Sequence, residues 1–161
     1  MVTNVIRAAA LATAGLVVAV ATSATAQADN SRLNNGVVAN VYTIQHQAGC
    51  TSEIKKNPAL TLAAEWHTND VLNNRALDGD IGSDGSTAQS RAEAAGFRGR
   101  VFQTVAINPA LASNNLDVLN QWYYNPVTFG IMSDCANTAI GVWSANSLDR
   151  SVVVAVYGQP A

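Results

Sequence analysis

Ionisable side chains are scarce in this chain: Asp, Glu, Lys and Arg make up 12% of its 161 residues, about half the usual share. A charged disordered tail, a long coiled coil and a polybasic arm are thereby excluded. The net charge of −2 offers no field to gather phosphates, so no nucleic-acid partner is expected. Histidine is rarer still. His46 and His67, the only two, show no HExxH-type spacing and are weak grounds for zinc. A Gly-x-Ser-x-Gly nucleophile elbow is also missing.

Long hydrophobic runs are missing too. The longest uncharged apolar stretch, Ala8 to Ala21, is shorter than the ~20 residues a membrane span needs. It follows Arg7 and precedes Ala24-Thr-Ala-Gln-Ala28. Charge, apolar run and small-x-small sites in that order predict a secretory signal peptide over residues 1–28, with cleavage after Ala28 or Ala26. The remaining domain, 29–161, is then extracellular and not membrane-spanning, and is large enough for one core of its own. Its two cysteines, Cys50 and Cys135, read as one disulfide in an exported chain. Closing so long a loop is worth about 4.5 kcal/mol in the chain-entropy model.

Helical spacing of Leu33, Val37, Val38, Val41 and Ile44 predicts a first helix stopping at Gly49. Asn57-Pro58 predicts a second, from an N-cap and a proline at the first helical position to about Arg75. Its two apolar stripes, one with Leu60, Ala63, Ala64, His67 and Val71 and one with Leu62, Trp66, Asn73 and Leu77, predict burial on two sides. A turn-rich loop, Asp78 to Gly85, leads to a short helix opened by a Ser86/Gln89 capping box and ended by Gly96. Val101 to Ile107 alternates as a strand. Asn108-Pro109 predicts a helical turn, and Leu116 to Tyr123 a helix that weakens at Asn125-Pro126. Ala139–Ser144 and Ser151–Tyr157 predict a final hairpin. Val152 to Val156 is apolar without alternation, so both its faces should be covered. The expected class is α/β, with three strands in a small antiparallel sheet and helices on both sides.

His67 sits mid-stripe and is expected to be a hydrogen-bonded core imidazole, and His46 to be exposed. Asp78, Asp80 and Asp84 have carboxylate spacing that suits a hard cation. They fail the EF-hand pattern at Gly82, Ser83 and Gln89, so the expected role of the aspartates is to satisfy backbone N–H groups. The three Trp and four Tyr fall mostly on apolar stripes and are expected in the core rather than on a glycan platform.

Asn57-Pro-Ala-Leu-x-Leu-Ala-Ala-x-x-His-x-x-Asp70 resembles the second helix of bacterial CAP domains. These are the cysteine-rich secretory, antigen 5 and pathogenesis-related 1 proteins, also called SCP-like. Gly82-Ser-Asp-Gly-Ser86 with Arg91 and Ala95-Gly96-Phe97 is similar to another of their segments. Trp122-Tyr-Tyr-Asn-Pro126 and Ile140-Gly-Val142 resemble two more. The likeness runs from Leu33 to Gly158. It implies a three-layer α-β-α sandwich whose cleft, in the family, carries two His and two acids able to hold a divalent metal. Carried over, those positions fall on Asp80, Gln103 (followed by Thr104), Asn125 and Thr128. None is a histidine, so the resemblance implies a polar ligand-binding cleft without a metal, a cofactor or a catalytic set. Its ligand would be an extracellular or envelope lipid or protein, bound by a monomer. The alternative is a hydrolase of envelope polymers or peptides using His67 or Asp80.

Secreted into culture medium, the protein should carry Asp29 or Gln27 as its N-terminal residue. Edman sequencing checks this, and a full-length chain embedded in membrane would contradict it.

Overall fold

The computed structural model describes residues 22–110 and 114–161. The charged start and the whole apolar run behind the signal-peptide reading lie outside them. Among the described residues no helix is long and apolar enough to cross a membrane. Helix α1 spans Thr22–Gln47, β1 Lys55–Lys56, α2 Pro58–Asn73, α3 Ala88–Ala94 and β2 Gly99–Pro109. Then come α4 Asn115–Tyr123, α5 Pro126–Ser133, β3 Ala139–Asn146 and β4 Arg150–Pro160.

The strands form one sheet in the order β1-β3-β4-β2. β4 runs antiparallel to both neighbours, while β1 pairs parallel with β3. The expected three-stranded antiparallel sheet is therefore four-stranded and mixed. The extra strand is two exposed lysines, which carry no alternation to read. It exists because Lys55 N–H donates to Thr138 O and Asn57 N–H to Ile140 O, both at 2.9 Å.

Alternation along β4 divides the core. Val153, Ala155 and Tyr157 pack on one face with Val37, Val41 and Ile44 of α1 and with Leu119, Trp122 and Met132 of α4 and α5. Val152, Val154 and Val156 pack on the other with Leu60, Ala63, Ala64 and Val71 of α2 and Ala92 of α3. The unbroken apolar run in β4 follows from this covering on both faces.

Asn57 caps α2 as expected, its Oδ1 accepting from Ala59 N–H at 2.9 Å and Leu60 N–H at 3.2 Å. Only one face of α2 is buried, however. Leu62 and Trp66 are exposed, because α2 is an outer layer and nothing among the described residues packs beyond it. The cap of α3 is Thr87 with Ser90 rather than Ser86 with Gln89. Gln89 instead spans the outer edge of β2, donating to Gly99 O at 2.9 Å and accepting from Val101 N–H at 3.0 Å. Asn108-Pro109 ends β2 opposite Ser151 and Arg150 instead of starting a helix. At Asn125-Pro126 the chain starts α5, with Asn125 as its N-cap.

Cys50 and Cys135 are bonded, 85 residues apart, joining the turn after α1 to the segment before β3. Beside them Gln45 donates to Asp134 O and Asn137 O at 3.1 and 2.9 Å. Between α2 and β3 the backbones touch. A Cβ on Gly141 would lie 2.1 Å from Leu60 C and Thr61 N, so only glycine lets the helix seat. Gly141→Ala should therefore lower the unfolding free energy by about 3 kcal/mol, the upper end of overpacking costs. Urea denaturation against the parent measures it.

Candidate functional site

Four side chains from three elements converge on the Asp78–Ser86 loop. From α3 comes Arg91, buried although charged. One guanidinium nitrogen donates to Ser86 O at 2.7 Å and Ser86 Oγ at 3.1 Å. The other donates to Asp80 O at 2.9 Å and Gln103 Oε1 at 3.0 Å. From β2, buried Gln103 returns its amide N–H to Asp80 Oδ1 at 3.3 Å. From α2, Asp70 accepts Ser83 N–H and Ser83 Oγ–H, both at 2.7 Å. His67, also on α2, bonds Gly79 O through Nε2 at 3.0 Å.

The loop holds itself as well. Gly82 N–H donates to Ser86 O and Gly85 N–H to Gly82 O, each at 2.9 Å. A Cβ on Gly82 would meet Ser86 Oγ at 2.6 Å and Asp84 Oδ1 at 2.9 Å. The Ser86 hydroxyl and then its N–H hold the Asp84 carboxyl below the usual range. Asp84 thus serves a backbone N–H of its own loop, the role expected of an aspartate in a tight turn. Among the described residues no group of three His, Cys, Asp or Glu is placed to hold a metal ion.

The four carried-over positions fall into two pairs. Asp80 and Gln103 are bonded to each other. Asn125 and Thr128 bond within the α4–α5 corner: Asn125 Oδ1 caps α5, and Thr128 Oγ–H donates to Trp122 O at 2.6 Å. Trp122 Nε1–H in turn reaches Val105 O of β2 at 3.1 Å. No hydrogen bond among the described residues joins the two pairs. Thr104 points to the opposite sheet face, where its hydroxyl meets that of buried Tyr157 at 3.1 Å. Burial pushes that phenol well above its ordinary value.

The anchoring role of Arg91 was missed from the sequence, although Gly82-Ser-Asp-Gly-Ser86 followed by an arginine on a helix was the available signal. One Ser-x-x-Lys spacing, Ser52 to Lys55, falls on the stretch leading into β1 rather than on a helix. Its hydroxyl and amine therefore do not share a helical turn. The expectation of core aromatics holds for Trp122 and Tyr157 but fails for Trp66, Tyr42, Tyr123 and Tyr124, which are exposed.

Solved structures share this fold. An outer surface protein of Borrelia burgdorferi matches with a TM-score of 0.64 at 12% identity, over 78% of this chain and 90% of its own. An extracellular protein containing an SCP domain from Bacillus anthracis matches at 0.69 and 11% identity, over 86% of this chain and 44% of that one. The chain has the CAP, or SCP-like, fold. A cysteine-rich secretory protein of Staphylococcus aureus agrees, at 0.56 and 9% identity over 81% of this chain and 39% of its own. This chain spans less than half of the Bacillus and Staphylococcus proteins. No protein-family model and no curated protein sequence matches it.

At the positions that the resemblance assigns to the family's metal, the donors are one carboxylate, two amides and a hydroxyl. Zinc prefers imidazole or thiolate, and Gln103 has both ends of its amide engaged. This set does not fit the metal.

His67 is fully buried, and its Nδ1 has no partner among the described residues. Burial first, then Arg91, lowers its pKa below 6.5. The folded chain therefore favours the neutral ring. The stability this contributes is present above about pH 6.5, the unfolded value, and is lost as the pH falls from there through the lower folded value. Urea midpoints between pH 7.5 and 5 should fall on acidification. His67→Gln, which keeps a donor for Gly79 O, should flatten that slope.

Proposed function

We propose that this protein is a secreted, non-enzymatic CAP-fold module that binds an extracellular or envelope ligand, a lipid or a protein. The observation that carries the reading is the chemistry at Asp80, Gln103, Asn125 and Thr128. A general acid–base pair needs two groups with pKa values set for the task. Only Asp80 among these carries an ionisable group, and it is hydrogen-bonded to an amide. The remaining groups donate and accept hydrogen bonds, which suits recognition. Placement outside the cell is supported by the signal-like first 28 residues, the disulfide and the extracellular or surface descriptions of the fold neighbours.

Native mass spectrometry of the protein from culture medium should show a retained lipid or protein partner, and zinc calorimetry no stoichiometric uptake. Turnover of an envelope polymer or peptide, abolished by Asp80→Asn or by His67→Gln, would overturn this reading in favour of a hydrolase.

A further inference from the structure

A groove of about 260 Å³ runs between α1 and α4, away from the loop strapped by Arg91. Its floor is Ile44 and Leu119, and its walls carry Asn40, Gln47, Asn120, Tyr123 and Tyr124. No charged side chain lines it. Tyr124 is 79% exposed, yet its ring is not isolated. It stands edge-on to Tyr123 at 5.5 Å, and Tyr123 stands edge-on to Phe129 at 5.0 Å. Phe129 is packed against the core. A chain of T-shaped contacts therefore presents an exposed aromatic ring from a buttressed base. Among the described residues no protein group bonds the side-chain amides of Gln47 and Asn120 or the two tyrosine hydroxyls.

We infer that this groove binds an uncharged glycan, stacked on the tyrosine rings and hydrogen-bonded by Gln47 and Asn120. Sugars present a C–H face that packs on an aromatic ring, and a rim of hydroxyls that both donate and accept. Primary amides do the same, which makes them the matching partners. The neutral lining argues against charged ligands. A fatty acid brings a carboxylate that no lining residue would neutralise. A stable protein interface takes about 20–30 residues from each partner, whereas nine line this groove. The volume lies below the roughly 300–1,000 Å³ of drug-sized pockets, and suits a short segment of a sugar chain. The site is separate from the Asp80, Gln103, Asn125 and Thr128 positions, so it stands or falls independently of the reading above.

Saturation-transfer NMR and calorimetry of the secreted protein against neutral chito-, malto-, cello-, laminari-, manno- and galacto-tetraoses test it. At least one should bind, with signal strongest at the C–H face of a sugar ring. Tyr124→Ala should weaken that binding at least about tenfold, as truncating an aromatic anchor does. Tyr124→Phe should retain it, and Asn120→Ala should weaken it about fivefold. Both positions are exposed, and circular dichroism should confirm the folded state of each variant. Binding to none of the six series overturns the inference, as does binding that Tyr124→Ala leaves unchanged. Palmitate bound at the same groove, in competition with Tyr124→Ala-sensitive signals, would assign it to a lipid instead.

Discussion

Everything in this fold leans on β4. It is hydrogen-bonded along both edges, to β3 and to β2, and apolar on both faces. Each face buries its side chains against a different helical layer, and β2 and β3 extend both cores to either side of it. Burying a valine is worth about 1.5–3 kcal/mol, and Val152, Val153 and Val154 are all fully buried. The helices could not be placed without it. The α2 layer approaches closest, where Gly141 and Gly158 leave out the side chains that would hold Leu60 and Phe97 away.

Against that rigid centre the Asp78–Ser86 loop is held by polar bonds rather than by apolar contact. Arg91 is the organising group. A buried guanidinium is expensive unless its donors are satisfied, and here two of the three nitrogens bind two loop carbonyls, a hydroxyl and the Gln103 amide, while Nε has no partner among the described residues. The cation also depresses the basicity of His67, so the two basic groups nearest the loop divide their roles. One stays charged and bonds the loop, and the other stays neutral inside α2. The same arrangement bonds Gln103 and Asp80 to each other, which fixes the shape of this end of the molecule.

Much of this was legible from local chemistry. Asn57-Pro58 announced the start of α2, Gly49 the end of α1, and the unbroken valines of β4 their double covering. The disulfide followed from there being only two cysteines in a chain with an export-like start. What escaped notice depended on partners distant in sequence. Lys55–Lys56 is a strand only because β3 lies beside it. Asn108-Pro109 has the look of a helix start, yet it continues β2 because Ser151 and Arg150 lie opposite. Asn125-Pro126 carries the same signal and does begin a helix, α5. Local spacing cannot tell these two apart.

The candidate site divides in the same way. The residue types at positions 80, 103, 125 and 128, and hence the absence of imidazole there, were determined by the sequence alone. Which of them meet was decided by the tertiary structure: Asp80 and Gln103 bond across 23 residues, whereas Asn125 caps α5 and the Thr128 hydroxyl bonds back to Trp122 O of α4. Exposure was likewise a tertiary decision. Trp122 and Tyr124 stand two residues apart on the same short segment, and a helical turn sends one ring into the core and the other into solvent. Periodicity reports that a face is apolar. Only the packing of the other layers determines whether anything covers it.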